Sequence, residues 1–184
     1  KGEGVSKDYK EAVKWFRLSA EQGDAEAQFN LGTMYHQGGG VPQDYQEAVK
    51  WFRLSAEQGY AEAQHNLGVM YYEGEGVSKD YKETVKWYRL AAEKTYAGSQ
   101  NNLGGMYYKG QGVPKDYALA HMWFNLSGSN GSKLGVEGRN IAEKGMTPSQ
   151  IEKAQRLERN RKPKRSIQKV SNQEKDAKKM TDYY

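Results

Sequence analysis

The sequence predicts an all-α solenoid, and three observations carry that prediction. Trp15, Trp51, Trp87 and Trp123 stand 36 residues apart, Tyr9, Tyr45, Tyr81 and Tyr117 keep the same interval, and the thirteen residues Glu11 to Gly23 recur unchanged as Glu47 to Gly59. A fixed period between about 20 and 50 residues is the signature of stacked supersecondary units. Four units of about 1–36, 37–72, 73–108 and 109–144 follow, then a capping helix of about 147–160 and a tail over 161–184.

Each unit reads as helix, turn, helix, loop. Asp8-Tyr9-Lys10-Glu11 has the form of a capping box, with Asp8 accepting from the Glu11 amide and Glu11 reaching back. In the first helix of the unit, helix A, Tyr9, Ala12, Val13, Phe16 and Ala20 form one apolar stripe and Trp15, Leu18 and Ser19 a second beside it. Two stripes predict two packing neighbours. Gly23 ends the helix in a left-handed conformation, and Asp24 caps helix B, which runs from about Ala25 to His36. Helix B turns Ala27, Leu31, Met34 and Tyr35 inward, and Gly32, Gly68 and Gly104 share one register. Mid-helix glycine costs ~1 kcal/mol relative to alanine, so its recurrence predicts the close approach of a neighbouring helix A backbone.

Gly38 and Gly40, like Gly74 with Gly76 and Gly110 with Gly112, break the chain before the next start. Phe29, His65 and Asn101, then Thr33, Val69 and Gly105, then His36, Tyr72 and Tyr108 differ from copy to copy, which predicts an outer face without packing duty. Asn30, Asn66 and Asn102 recur identically and are expected to bond loop backbone. Helices of this length are marginal alone, and one buried Trp removes roughly 150 to 250 Å² from water, so the copies must stack.

Three departures from the repeat carry expectations of their own. Thr95 replaces the turn glycine of Gly23 and Gly59, which predicts a distorted or rebuilt turn. In the fourth copy Gly128, Lys133, Gly135 and Arg139 replace Ala56, Ala61, Ala63 and Leu67, so its helix B is expected to lose the usual contact. Thr147 and Pro148 then open a fresh helix through Ile151, Ala154 and Leu157 that closes the array. Lys1 to Lys7 reads as the loop after a helix B, so the parent protein is expected to continue upstream and the apolar side of Tyr9 to Leu18 to be open to self-association.

The 184 residues have a mean hydropathy of -1.01 and lack an unbroken apolar run of ~20 residues, which excludes a membrane-spanning helix. With no cysteine there is no disulfide framework, thiolate zinc site or cysteine nucleophile. The net charge of +5 belongs to the tail, where eight basic residues face three acidic ones, whereas the body holds 20 of each. From Arg161 the chain reads as a disordered, solvated extension, or as a short docked helix capped at Ser171 to Glu174.

The runs Asn30-Leu31-Gly32-Thr33-Met34-Tyr35, Asn66 to Tyr71 and Asn102 to Tyr107, with Ala-Glu-Ala-Gln opening helix B and Gly-x-Gly-Val before Asp-Tyr, resemble the Sel1-like repeat proteins of bacteria. These are relatives of the tetratricopeptide repeats. The stretch Ala118 to Leu126, with Met146 to Ile151 and Ala154 to Leu157, is similar to the closing segment of many members. The resemblance implies a right-handed α-solenoid whose A helices line a concave face, serving as a scaffold that binds protein or peptide partners. It leaves the compartment open between periplasm, secretion and cytoplasm. Some secreted members are linked to penicillin-type ligands, which supplies an alternative reading as a cell-wall ligand binder or hydrolase. That subgroup ties each repeat with a cysteine pair, and this chain has none.

Residues outside both stripes of helix A leave Lys14, Lys50 and Lys86 in one ladder and Arg17, Arg53 and Arg89 in another. Facing the groove, they predict a cationic site for an acidic peptide, with arginine able to grip carboxylates bidentately. The competing reading is a solvated face, since Glu11 and Glu47 stand three residues before Lys14 and Lys50. No catalytic residues, metal or cofactor are expected. His36, His65 and His121 lack metal-ligand spacing, Gly-x-Gly-Val lacks the rest of a dinucleotide motif, and Ser166-x-x-Lys169 lacks its companions. Asn125 and Asn130 head glycosylation sequons that matter only in a eukaryotic secretory route. The neutral body offers nucleic acid no excess of positive charge, leaving polyanion binding to Arg161 through Lys169 of the tail.

Overall fold

The computed structural model describes residues 9–161, and among them every regular element is helical. Four hairpins follow one another: α1 (Tyr9–Glu21) with α2 (Ala25–Gln37), α3 (Tyr45–Glu57) with α4 (Ala61–Glu73), α5 (Tyr81–Glu93) with α6 (Ala97–Lys109), and α7 (Tyr117–Ser129) with α8 (Lys133–Lys144). A last helix, α9 (Pro148–Arg161), packs on α7. The cap assigned to Asp8, the loop at 1–7 and the tail readings beyond Arg161 lie outside the described residues.

Half of the capping box forms. Asp44 accepts from the amides of Gln46 and Glu47, Asp80 from Lys82 and Glu83, and Asp116 from Ala118 and Leu119. The glutamates do not reach back. Glu47 and Glu83 instead accept the indole N–H of Trp51 and Trp87 at 3.2 and 3.0 Å. The N-cap amides of Asp44, Asp80 and Asp116 donate to the carbonyls of Tyr35, Tyr71 and Tyr107, so the start of each A helix is tied to the B helix before it. Burying an indole in a hairpin interface requires a partner for its N–H, and the nearest carboxylate supplies it.

The core is cut into layers that join neighbouring hairpins. Trp51 packs with Val13, Ala20, Ala27 and Leu31 of the first hairpin, and Trp87 with Ala48, Val49, Phe52 and Leu67 of the second. Trp51, Trp87 and Trp123 are 7%, 5% and 2% exposed, whereas Trp15 is 65% exposed because no described hairpin precedes it. The register that buries three indoles therefore leaves the first one open.

What crowds the mid-helix glycines is a ring rather than a backbone. A methyl group at Gly32, Gly68 or Gly104 would stand 2.8, 2.6 or 2.7 Å from the ring of Phe52, Tyr88 or Phe124, each on the next A helix. The Asn positions also differ from expectation. The amides that bond helix A carbonyls belong to Gln28, Gln64 and Gln100, which donate to Ala20, Ala56 and Ala92 at 3.0 Å, while Asn102 faces the Tyr88 hydroxyl.

The turn at Thr95 is neither distorted nor rebuilt. Thr95 takes φ 67°, alongside 94° at Gly23 and 91° at Gly59, and the bonds Thr95 N–H to Ala92 and Tyr96 N–H to Ala91 repeat those of the other turns. Packing on both sides holds the turn, and a β-branched residue bears the strain. Thr95→Gly is expected to raise stability by about 1 kcal/mol, read as a higher urea midpoint at unchanged slope.

The fourth hairpin changes its contact, as the substitutions imply. Gly135 lies so close to α7 that a methyl group there would meet the Gly128 nitrogen at 2.5 Å, and Gly138 takes the Phe124 ring. Arg139, where Leu31, Leu67 and Leu103 are fully buried, sits half-buried and donates to Asn125 at 3.1 Å. The predicted start of α9 forms as a reciprocal pair, the Thr147 amide donating to Gln150 and the Gln150 amide to Thr147. Ala154 is buried and Lys153 bonds Asp116 at 2.8 Å, closing the array over α7. The outer side of α8 stays uncovered by described residues, with Leu134 64% and Ile141 56% exposed.

Candidate functional site

The two basic ladders lie on successive A helices and meet different fates. Lys50 stands 3.2 Å from Glu47 and 5.3 Å from the Trp51 ring centroid, and Lys86 stands 3.1 Å from Glu83 and 5.0 Å from that of Trp87. Lys14 is exposed at the same register on α1. A carboxylate one turn away offsets much of the field of Lys50 and Lys86. The arginines have another neighbour. Arg17, Arg53 and Arg89 donate to the hydroxyls of Tyr35, Tyr71 and Tyr107 at 2.5, 2.6 and 2.7 Å. Each bond spans from an A helix to the B helix of the same hairpin, so the guanidinium is held by a neutral acceptor and keeps its charge. The ladders end at α7, where buried Met122 and Asn125 take the Lys and Arg positions.

Leu18, Leu54 and Leu90 leave the second apolar stripe to which their spacing assigned them. They are 52%, 39% and 38% exposed, each beside an arginine of the ladder, while Trp51, Trp87 and Ser55 of that stripe are buried. Exposed leucines thus accompany the cationic ladders on successive A helices, a feature the stripe reading missed. Helical spacing gives an angle on the helix, and the angle at which the neighbour sits decides which side of the stripe it covers.

The outer B positions carry packing after all. Phe29 stacks against Phe52 and Tyr60, His36 lies 5.3 Å from Tyr45 and 3.2 Å from Glu75, and His65 lies against Tyr88 and Tyr96. Burial pushes the His65 imidazole down to about 4 and the Tyr88 phenol up to about 12. Burial also works to raise the Asp116 carboxyl, but the Lys153 ammonium and the Leu119 and Ala118 amides hold it below its ordinary value. Among the described residues no group of three or more His, Asp or Glu is placed to hold a metal ion, and no helix is long and apolar enough to cross a membrane.

A family model for the Sel1 repeat matches residues 1–24, 25–60, 61–96 and 97–132. The chain belongs to the Sel1 repeat family. Its solved relatives include c5321, a protective antigen of uropathogenic Escherichia coli strains with an SLR fold, at 41% identity and a TM-score of 0.79. That match covers 86% of this chain and 34% of the antigen. A Sel1 repeat protein from Oxalobacter formigenes is 36% identical, with a TM-score of 0.72 over 84% of this chain and 66% of its own. Cysteine-rich protein B of Helicobacter pylori shares the fold at 22% identity and a TM-score of 0.58, over 74% of this chain and 98% of its own. The chain thus spans about a third of the first relative and 66% of the second. No curated protein matches the sequence.

In the Sel1 phasing each full unit begins with a B helix and ends with the next A helix, as in 25–60. The packing agrees for α2, α4 and α6, each of which contacts the following A helix more extensively than the one before it, whereas α8 packs on the preceding α7. This Sel1 repeat array also links its turns from layer to layer. Gln58 donates to Gly23 and to Gln28, and Asn130 to Gln100. Between the second and third hairpins Lys94 replaces the amide and bonds Gly59, leaving the buried Gln64 Oε1 without a partner.

Proposed function

We propose that the chain is a non-catalytic scaffold whose concave A-helix face holds an extended segment of a partner protein bearing both acidic and apolar side chains. Members of the Sel1 family commonly serve as protein–protein interaction scaffolds. The single observation that carries the finer reading is that α3 and α5 each keep an arginine held by a tyrosine hydroxyl, Arg53 and Arg89, together with an exposed leucine, Leu54 at 39% and Leu90 at 38%. A tyrosine hydroxyl pre-sets each guanidinium without neutralising it, which lowers the ordering cost of gripping a carboxylate. The adjacent leucine offers apolar area that only a partner would cover. Lys14, Arg17, Lys50, Arg53, Lys86 and Arg89 remain the residues assigned to binding, with the arginines ahead of the lysines because Glu47 and Glu83 hold Lys50 and Lys86.

The test is a peptide-display selection on the purified protein. Enriched peptides are expected to combine Asp or Glu with Leu, Ile or Phe, and Arg53→Glu with Arg89→Glu, or Leu54→Ser with Leu90→Ser, is expected to weaken their capture at least tenfold. Capture that survives both pairs in correctly folded protein would place the partner site elsewhere. The penicillin-type reading gains nothing here, since the likeness to the Helicobacter pylori protein extends to the fold alone.

A further inference from the structure

The B-helix side interrupts its own repeat in the third layer. In the first layer Phe29 packs at a tilt against Phe52 and Tyr60, with centroids 5.8 and 5.2 Å apart. In the second, His65 holds the same position, 5.6 Å from Tyr88 and 4.9 Å from Tyr96. The third layer keeps the floor ring, Phe124, but Asn101 stands in the place of Phe29 and His65, and Ser132 in that of Tyr60 and Tyr96. Gly105 replaces Thr33 and Val69, and a methyl group built on it meets nothing within 4 Å.

An open cavity of about 440 Å³ lies between α4 and α6 where Asn101 and Gly105 replace the larger side chains, lined also by Val69, Tyr72, Tyr88 and Phe124. That is the size of a small-ligand site, with aromatic walls, a few amides and the charged Glu73 and Lys109. Gln111 also lines it, and its Oε1 is buried with no hydrogen-bond partner. One copy earlier Glu75 occupies the Gln111 position and pairs with His36 at 3.2 Å, whereas Tyr72 stands at the His36 position here and no donor bonds Gln111 Oε1.

We propose that this cavity binds a small, free aromatic molecule whose ring carries an O–H or N–H, of the phenol or indole class. The ring occupies the seat that Phe29 and His65 fill in the other layers, against Phe124, and its donor bonds Gln111 Oε1. The site lies on the B helices and is independent of the A-helix face, so neither proposal depends on the other.

Indole and phenol titrated into the ¹⁵N-labelled protein are expected to give saturable shifts centred on the amides of Asn101, Gly105 and Gln111. Benzene, which lacks the donor, and cyclohexanol, which lacks the ring, are each expected to bind at least tenfold more weakly. Asn101→Phe restores the first-layer ring and Gly105→Val the second-layer side chain; each is expected to raise the melting temperature and to weaken indole at least tenfold. Absence of saturable shifts, or equal indole affinity in a folded Gly105→Val protein, would overturn the site. Tighter binding of N-acetyltryptophanamide than of indole would overturn the assignment to a free small molecule.

Discussion

Trp87→Ala is expected to destabilise the protein by about 3 to 5 kcal/mol, whereas Trp15→Ala, the same change one period from Trp51, should cost less than about 1 kcal/mol. Trp87 is 5% exposed, packs on the second hairpin's core and donates its indole N–H to Glu83 at 3.0 Å. Its removal opens a cavity between two hairpins and leaves the half-buried Glu83 carboxylate with Lys86 alone. Trp15 stands at the same repeat position but is 65% exposed, so it has little burial to lose. In a one-dimensional array the cost falls on the interface between layers, and calorimetric unfolding of the two variants measures it directly. Equal costs would mean that Trp87 is held by its own hairpin and not by the stack.

Stability is expected to fall by roughly 3 kcal/mol as the pH drops from about 6.5 to about 4, through His65 alone. Burial under Tyr88 and Tyr96 holds the folded imidazole down to about 4, while the unfolded one titrates near its ordinary 6.5. Across that window the unfolded chain binds a proton that the folded chain refuses, so acid favours unfolding. Below the folded value both states are protonated and the loss levels off. Asp116, whose carboxyl is held below its ordinary value, contributes stability that is lost at still lower pH, as the pH falls through its folded value. His65→Phe places the first-layer ring in the second layer and should flatten the melting-temperature profile between pH 6.5 and 4. An unchanged profile would assign the acid loss to other groups.

The candidate site was legible only in part. The Lys and Arg ladders follow from spacing alone, because residues four and seven apart on a helix share a face. That Tyr35, Tyr71 and Tyr107 would hold the arginines, eighteen residues on, could be suspected only from the matching period of tyrosine and arginine. The exposure of Leu54 and Leu90 could not, since a leucine beside a tryptophan on a helix reads as core. Nor could the third-layer cavity, although Asn101, Gly105 and Ser132 all broke the pattern in one place. Variation among copies looked like freedom from packing, when two of the three copies pack there with different rings.

By itself the sequence determined the number of hairpins over the described residues, the caps at Asp44, Asp80, Asp116 and Thr147, and the need for the copies to stack. These depend on local backbone chemistry and on the period of apolar residues, both of which are written along one chain segment. Tertiary structure alone decided that α2, α4 and α6 pack mainly on the A helix that follows, that Thr95 would accept a left-handed backbone, and that one layer would be left without its ring. Those outcomes turn on which surfaces meet across 30 or more residues, where shape complementarity between helices outweighs the preference of any single position.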